Sequence, residues 1–400
     1  MKHTVADLAI LGGAPLFGDK VHVGRPNIGD RAFFFSKLES ILDSKWLTNN
    51  GACVQQLERE VAQYLQVKHA IAVCNATVGL EIAIRALDLE GEVIVPSLTF
   101  VASAHALQWQ RIAPVFCDVD EQSHLIDPSC IETLITPRTT GIMGVHLWGR
   151  VCDVERLSAI AERHKLALLF DAAHAFGCSR QGRMVGGFGR AEVFSFHATK
   201  FFNSFEGGAI TTNDDDLAAR LRLMINFGFA GYDNVVHIGT NGKMNEVCAA
   251  MGLASMRSMA EVVERNRRNH AAYAKELADV PGMRLLQYPA TEKGNYQYIV
   301  VEYQAPAGCL SRDQLIDVLW AENVIARRYF HPGCHRMEPY RTLFPNAGHR
   351  LPATEAITDR LVVLPTGADI TATEIAAITG VMRTAVRGGA ELAAALQARH

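Results

Sequence analysis

Asp171 and Lys200 have the residue types and settings best suited to chemistry in this chain. Asp171 ends the apolar run Ala167–Phe170, so it falls at the end of a buried strand. A carboxylate there is expensive unless a cation receives it. Lys200 follows a second apolar run and sits among Phe196, Phe201, Phe202 and Phe205. An aromatic setting lowers an amine's pKa, which suits a nucleophile. Ser195 and His197 alternate with Phe194 and Phe196 just before it. Taken singly, the aspartate and the lysine are better explained as halves of a structural ion pair.

A second stretch, Cys74-Asn75-Ala76-Thr77-Val78-Gly79-Leu80, joins a strand pattern to a helix pattern. Small residues let backbone approach a ligand, and free N–H groups with the Thr77 hydroxyl make an anion site. An ordinary N-cap by Thr77 or Asn75 fits equally well. His331-Pro-Gly-Cys334-His335 has metal-ligand residue types, but no further ligand cluster is near it in sequence, and no metal is expected. Gly239–Met244 looks like the tail of a P-loop yet lacks Ser or Thr after Lys243 and the leading glycine. Neither G-x-S-x-G nor a G-x-G-x-x-G after a strand occurs.

These residues need a scaffold. From about Cys53 to Thr212, helix and strand patterns alternate. Helices are expected at Val54–Leu65, Val78–Leu87, Val101–Gln110 and Val154–Lys165. Strands are expected at Ala70–Cys74, Glu92–Pro96, Ala113–Val119, Thr140–Leu147, Ala167–Ala172, Val193–Phe196 and Gly208–Thr212. Apolar strands alternating with helices imply a mostly parallel sheet covered on both faces. Ligand groups are then expected just after the strands, at their carboxyl ends. After Asn241 comes a long helix, Met244–Leu277, with a break near Ser258. Beyond Pro281, strands at Tyr296–Tyr303, Val324–Tyr329 and Leu361–Leu364 with helices Arg312–Ala321 and Thr373–Val386 read as a smaller α+β domain. The domains are expected at 1–255 and 256–400, with the N-terminal segment packing on the smaller one.

Composition narrows the class. Four hundred residues allow two or three domains of about 150 each. A net charge of −3 leaves no global footprint for nucleic-acid or anionic-membrane binding. The nine cysteines are odd in number and lack C-x-x-C, so buried free thiols in a reducing cytoplasm are expected. Asp7 interrupts the apolar start and no signal-peptide cleavage site follows, so no secretory leader is expected. No uncharged apolar run approaches the about 18 residues of a membrane span.

Taken in order, Asn-x-Thr, VIVPSLTFVASAHA, FDAAHAFG, FSFHATK, EGGAITT and GTNGKMNEVCAAMGL resemble the DegT/DnrJ/EryC1/StrS family of pyridoxal-phosphate sugar aminotransferases. The likeness extends from GRPNIGD and WLTNNG to LVVLPTG and leans toward enzymes that aminate C4 of a nucleotide-linked 4-keto-6-deoxyhexose. It implies an α/β fold-type-I transferase: a large domain on a mostly parallel seven-stranded sheet and a smaller C-terminal α+β domain. It implies pyridoxal 5'-phosphate (PLP), cycling through pyridoxamine 5'-phosphate, with glutamate or glutamine as amine donor, a nucleotide-linked keto sugar as acceptor, and a homodimer with shared sites. By resemblance, Lys200 matches the lysine that takes up the cofactor aldehyde, and Asp171 the partner of the ring nitrogen. His174 stands where the family has Gln or His, near the ring and its 3-hydroxyl. Thr77, the Val78 amide and Ser195 match the phosphate cradle, and Phe100 the aromatic stacked on the ring. Asn241 matches an asparagine reaching the neighbouring subunit's phosphate. Lys243, Tyr329 and His331 are substrate-contact candidates; a loop packed on the small domain is the plainer reading of Tyr329 and His331. The chain departs from the family in Ala76 and Val78, where Gly and Ala are common, and in Gly242-Lys243, where an aromatic and Arg are common. Amination of a 3-keto sugar or a cyclitol ketone, and a cofactor-binding regulator without turnover, are the alternatives.

Overall fold

The computed structural model describes residues 2–397. Seven strands form the main sheet: β1 (His69–Val73), β2 (Glu92–Pro96), β3 (Ala113–Cys117), β4 (Thr139–Val145), β5 (Ala167–Asp171), β6 (Ala191–Ser195) and β7 (Gly208–Thr212). Their spatial order is β1-β7-β6-β5-β4-β2-β3. All adjacent pairs are parallel except those made by β7, which runs antiparallel to both β1 and β6. Nearly every residue of these strands is buried, as a sheet covered on both faces requires. The mostly parallel seven-stranded sheet is therefore as the alternating pattern implied.

Helices α1 (Arg31–Ser44), α2 (Ala52–Leu65), α3 (Ala76–Ala86), α4 (Ala102–Gln108), α5 (Val154–His164) and α6 (Asp215–Met224) pack around the sheet. Periodicity missed α1 and α6. The apolar residues of α1 form no single stripe: only Ile41 is buried, while Phe35 and Leu42 are exposed. Helix α7 (Glu246–Leu277) is continuous over 32 residues. The break expected near Ser258 is absent; the Ser258 hydroxyl is accommodated within the helix by donating back to the Ala254 carbonyl at 3.5 Å. Residues Ala249 to Val262 of α7 belong to the core against the main sheet. Tyr273 and Leu277 belong to a second core.

That second core lies under a three-stranded antiparallel sheet of β8 (Met283–Leu285), β9 (Ile299–Tyr303) and β10 (Leu361–Leu364). Helices α8 (Arg312–Ala321) and α9 (Ala372–Arg387) cover it. Val5 and Leu8 from the N-terminal segment are buried in the same core, and Lys2 pairs with Glu322. The strand expected at Val324–Tyr329 is much shorter. Only Val324–Ile325 is strand, and it pairs in parallel with Val21–His22 rather than joining the three-stranded sheet. Arg327 makes a single bridge to Val363. All nine cysteines are free. Cys74, Cys130, Cys248 and Cys309 are partly exposed rather than buried. Among the described residues, no helix is long and apolar enough to cross a membrane.

One buried carboxylate joins α7 to the main unit. The N-cap of α2 is Gly51, which has no side chain to offer. Glu246, only 2% exposed, fills the role: its carboxylate accepts from the amides of Cys53 at 2.8 Å and Val54 at 3.0 Å. A Cβ on residue 51 would fall 2.5 Å from that carboxylate, which explains the glycine in WLTNNG. Glu246→Ala leaves two buried amides unpaired. It is expected to lower unfolding stability by about 2–4 kcal/mol, read from the denaturant midpoint. A loss below about 0.5 kcal/mol would show that water replaces the carboxylate without penalty.

Candidate active site

The chemically capable side chains converge at the carboxyl edge of the main sheet. Asp171 is the last residue of β5, the middle strand, and is 5% exposed. Its Oδ2 accepts from the Ser103 hydroxyl at 2.7 Å and its Oδ1 from the Ala173 amide at 3.0 Å. Ser103 on α4 is itself held by Thr99 at 2.9 Å. Burial raises the pKa of Asp171; the Ser103 and Ala173 hydrogen bonds and the charges of Lys200 and His146 act against the rise. No described lysine, arginine or histidine forms an ion pair with this carboxylate.

Lys200 lies in the loop between β6 and β7. Its neighbour Phe201 is clamped on both sides of its backbone. The Phe201 amide donates to Gln297 at 3.0 Å, and its carbonyl accepts from Asn27 at 3.3 Å. Asn27 belongs to the N-terminal GRPNIGD segment and in turn accepts from Arg265 on α7 at 2.7 Å. The loop's course is thus set by side chains from three distant parts of the chain. Burial pulls the Lys200 amine down from 10.5 to about 8, while the charge of Asp171 opposes the fall. The structural ion pair is not formed: the Lys200 Nζ donates instead to the Tyr298 hydroxyl at 3.3 Å.

His174 completes this cluster. Its Nδ1 accepts from the Trp148 amide at 3.3 Å, so the ring proton sits on Nε2, which donates to the Tyr298 hydroxyl at 3.1 Å. Burial and the Lys200 charge hold its pKa well below the usual histidine range, so the ring is neutral. Phe330 stacks on Trp148, with centroids 5.2 Å apart, and lies 5.9 Å from the ring of Phe100. Phe100 is 56% exposed.

The anion-site candidates sit beside this cluster. Gly208 of β7 pairs with Val73 on one side and Ser195 on the other, so the start of α3 and the Ser195 hydroxyl flank one glycine. A Cβ there would lie 3.1 Å from the Ala76 amide and 2.5 Å from the Phe194 carbonyl. Asn75 is the N-cap of α3, and its side chain accepts from the Val78 amide at 2.9 Å. That amide is committed. The amides of Ala76 and Thr77, in the first turn, have no intrahelical acceptor, and the hydroxyls of Thr77 and Ser195 are further donors close by.

The remaining candidates are more dispersed. Asn241 is exposed at the end of the 227–241 loop. Lys243 donates to Asn226 at 2.9 Å and lies 4.8 Å from the centre of the Phe227 ring. His331 is 3.5 Å from Asp359, within the smaller unit. Tyr329 stacks on Phe330 at 5.1 Å. Residue-by-residue reading missed Tyr298, Gln297 and Asn295. The Asn295 side chain donates to the carbonyl of His174 at 2.8 Å. The one available signal was the polar-aromatic run Asn-Tyr-Gln-Tyr immediately before the apolar strand β9.

Comparison with known proteins agrees with this arrangement. The model of the DegT/DnrJ/EryC1/StrS aminotransferase family matches residues 30–383. The chain is 36% identical to a dTDP-4-amino-4,6-dideoxy-D-glucose transaminase of Shigella dysenteriae over 91% of its own length and 98% of the relative's. It is also 36% identical to a GDP-perosamine synthase of Caulobacter vibrioides, over 84% and 90% of the two chains. Among solved structures, DesI, crystallised with its TDP-sugar product, superposes with a TM-score of 0.92 at 46% identity, covering 98% of this chain and all of that one.

The depressed amine is directly testable. In cofactor-free protein, acylation of Lys200, followed by peptide mass spectrometry, is expected to rise with pH through a midpoint near 8 rather than 10.5. The Asp171 charge favours the ammonium, so Asp171→Asn is expected to move that midpoint further down. A midpoint near 10.5 in the wild type would show an amine open to water.

Proposed function

The chain belongs to the DegT/DnrJ/EryC1/StrS aminotransferase family, and from that premise we propose that it is a PLP-dependent transaminase of nucleotide-linked keto-deoxysugars. The acceptor proposed is dTDP-4-keto-6-deoxy-D-glucose, converted to the 4-amino-4,6-dideoxy sugar with glutamate as donor. The observation that carries the reading is Asp171: a buried carboxylate bonded to a hydroxyl and an amide but to no cation, beside an amine that burial holds near neutrality.

The residues fit the cofactor. The Asp171 carboxylate suits a protonated ring nitrogen, and the space kept open by Gly208 at the start of α3 suits a phosphate. In this reading Asp171 and His174 hold the ring, with Phe100 against its face. Thr77, Ser195 and the first-turn amides of α3 take the phosphate, and Asn241 reaches the phosphate in the neighbouring subunit. When bound, the cofactor supplies an electron sink for charge developing on the substrate carbon. The chain's own contribution is positional and electrostatic. Asp171 keeps the ring nitrogen protonated. Lys200, whose pKa burial lowers to about 8 so that its free amine is accessible, moves the proton on the substrate carbon. The Ser103 and Ala173 hydrogen bonds oppose the upward pull of burial on Asp171, and neutral His174 donates without adding charge. Lys243, Tyr329 and His331 are the proposed substrate contacts, with the smaller unit (256–400) closing over the larger (1–255).

A second copy of the chain is part of the proposal. Phe227, Phe229, Tyr232, Val235, Val236 and Ile238 are exposed on the loop that leads to Asn241, and Trp46 and Leu47 are exposed after α1. Apolar exposure on this scale fits a covered face, and a symmetric partner would bring Asn241 to the other site.

Two measurements test the reading. With PLP, the wild type is expected to show a visible absorbance band that Lys200→Ala abolishes; a reconstituted wild type that stays colourless would overturn it. Against a panel of nucleotide-linked 3- and 4-keto sugars with glutamate, mass spectrometry is expected to find the 4-amino product. Amination confined to 3-keto sugars would reassign the substrate, and no transfer with any sugar would favour a binding protein without turnover.

A further inference from the structure

Tyr298 is the point where three parts of the molecule meet. It stands just before β9 in the smaller unit, yet its hydroxyl receives Lys200 Nζ at 3.3 Å from the β6–β7 loop and His174 Nε2 at 3.1 Å from the loop after β5. Its ring is held edge-on by Trp148, centroids 5.4 Å apart, and tilted against His174 at 4.6 Å. The Tyr298 backbone carbonyl accepts from the Tyr288 hydroxyl at 3.4 Å. Flanking residues anchor the same segment to both loops: Asn295 to the carbonyls of His174 and Phe176, and Gln297 to the amide of Phe201. Tyr298 is therefore more narrowly located than Lys200, whose side chain is long and flexible.

The chemistry of a hydroxyl matters here. It can accept from an ammonium and donate to a neutral amine without moving a heavy atom. A carboxylate at this place would only favour the ammonium. A phenyl ring would serve neither state. The His174 Nε2–H already occupies one lone pair of the phenol oxygen, which polarises its O–H toward the remaining partner. The chain of hydrogen bonds ends at the Trp148 peptide, so it holds the amine and conducts no proton to solvent. The other ionisable groups facing this cluster are Asp171 from β5, Tyr288 from the segment after β8 and Tyr329 from the loop after Val324–Ile325, with His146 behind Asp171.

We propose that Tyr298 is a positioning residue for Lys200, its hydroxyl docking the free amine in both protonation states while the lysine transfers a proton. This rests on the transaminase reading above. Tyr298→Phe removes one oxygen and keeps the ring packing. In the holoenzyme it is expected to slow exchange of the glutamate α-hydrogen with deuterated solvent, and kcat with it, by about tenfold or more. The glutamate KM and the visible band of the bound cofactor are expected to stay near wild type. In cofactor-free protein, the acylation midpoint of Lys200 is expected to fall, because the ammonium loses the stronger, charge-assisted bond. Tyr298→3-fluorotyrosine, which keeps an acidified hydroxyl, is expected to retain most of the exchange and to lower the midpoint less. If Tyr298→Phe does not fold, the fluorinated variant carries the test alone: an unchanged midpoint overturns the proposal. Wild-type exchange in Tyr298→Phe overturns it, and so does loss of the cofactor band, which would make the residue part of the binding wall. If the wild type itself shows no exchange, the transaminase reading fails, while the cofactor-free midpoint still reports whether Tyr298 docks the amine.

Discussion

The site depends on a buried carboxylate kept away from its nearest amine. Asp171 and Lys200 both lie at the carboxyl edge of the sheet, and in a low-dielectric interior opposite charges attract strongly. Left free, they would close into an ion pair and neither would remain available. Each is engaged by other contacts instead. Ser103 and the Ala173 amide satisfy the carboxylate, and Tyr298 takes the amine. The result is a carboxylate whose charge has no ionic partner and an amine held near neutrality, both of which a protonated ring nitrogen and an aldehyde carbon would use. Because β5 stands in the middle of the sheet, with β4 and β6 on either side, Asp171 at its end is buried and meets Ser103 of α4.

The same constraint explains why the smaller unit must be present. The main sheet alone would leave Lys200 on an unsupported loop. Gln297 and Asn27 fix the peptide next to it, and Asn295 fixes the peptide of His174. These side chains come from the entry to β9 and from the N-terminal segment, which itself packs on the smaller core. The partners of Lys200, Phe201 and His174 are therefore gathered on a single stretch, Asn295–Tyr298. A displacement of β9 relative to the main sheet would move the partners of Lys200 and His174 together.

The sequence made the scaffold and the residues on it legible to different degrees. Each strand of the main sheet is a short apolar run between turn signals, so all seven could be read, and with them Asp171 and Ser195 at strand ends and Thr77 at a helix start. Lys200 was legible because four phenylalanines surround it. Helix α1 was not, since only Ile41 of it is buried and its apolar residues form no single stripe, and α6 went unread although Leu217, Ala218, Leu221 and Met224 share one buried face. Tyr298, Gln297 and Asn295 were invisible as functional residues. Their partners are more than ninety positions away, and the one local signal, a polar-aromatic run before β9, does not say which distant loops it reaches. The Val78 amide fared differently: Asn75 and Thr77 were both possible caps, and only the coordinates show that Asn75 takes that donor.

The division between strand ends and loops also bears on specificity. Of the groups proposed to hold the cofactor, Asp171, Ser195 and Thr77 stand on strand ends or a helix start whose positions follow from sheet register, whereas Phe100, His174, Lys200 and Asn241 lie on loops. The groups proposed to touch substrate lie on loops with few internal ties: His331 faces Asp359, and Lys243 faces Asn226. Loops change course at little cost to the core. A family of enzymes can therefore keep one amine-transfer apparatus and vary the sugar it accepts. The near-neutral net charge fits this arrangement, because the phosphate would be met by uncharged amides and hydroxyls whose dipoles the overall balance does not register.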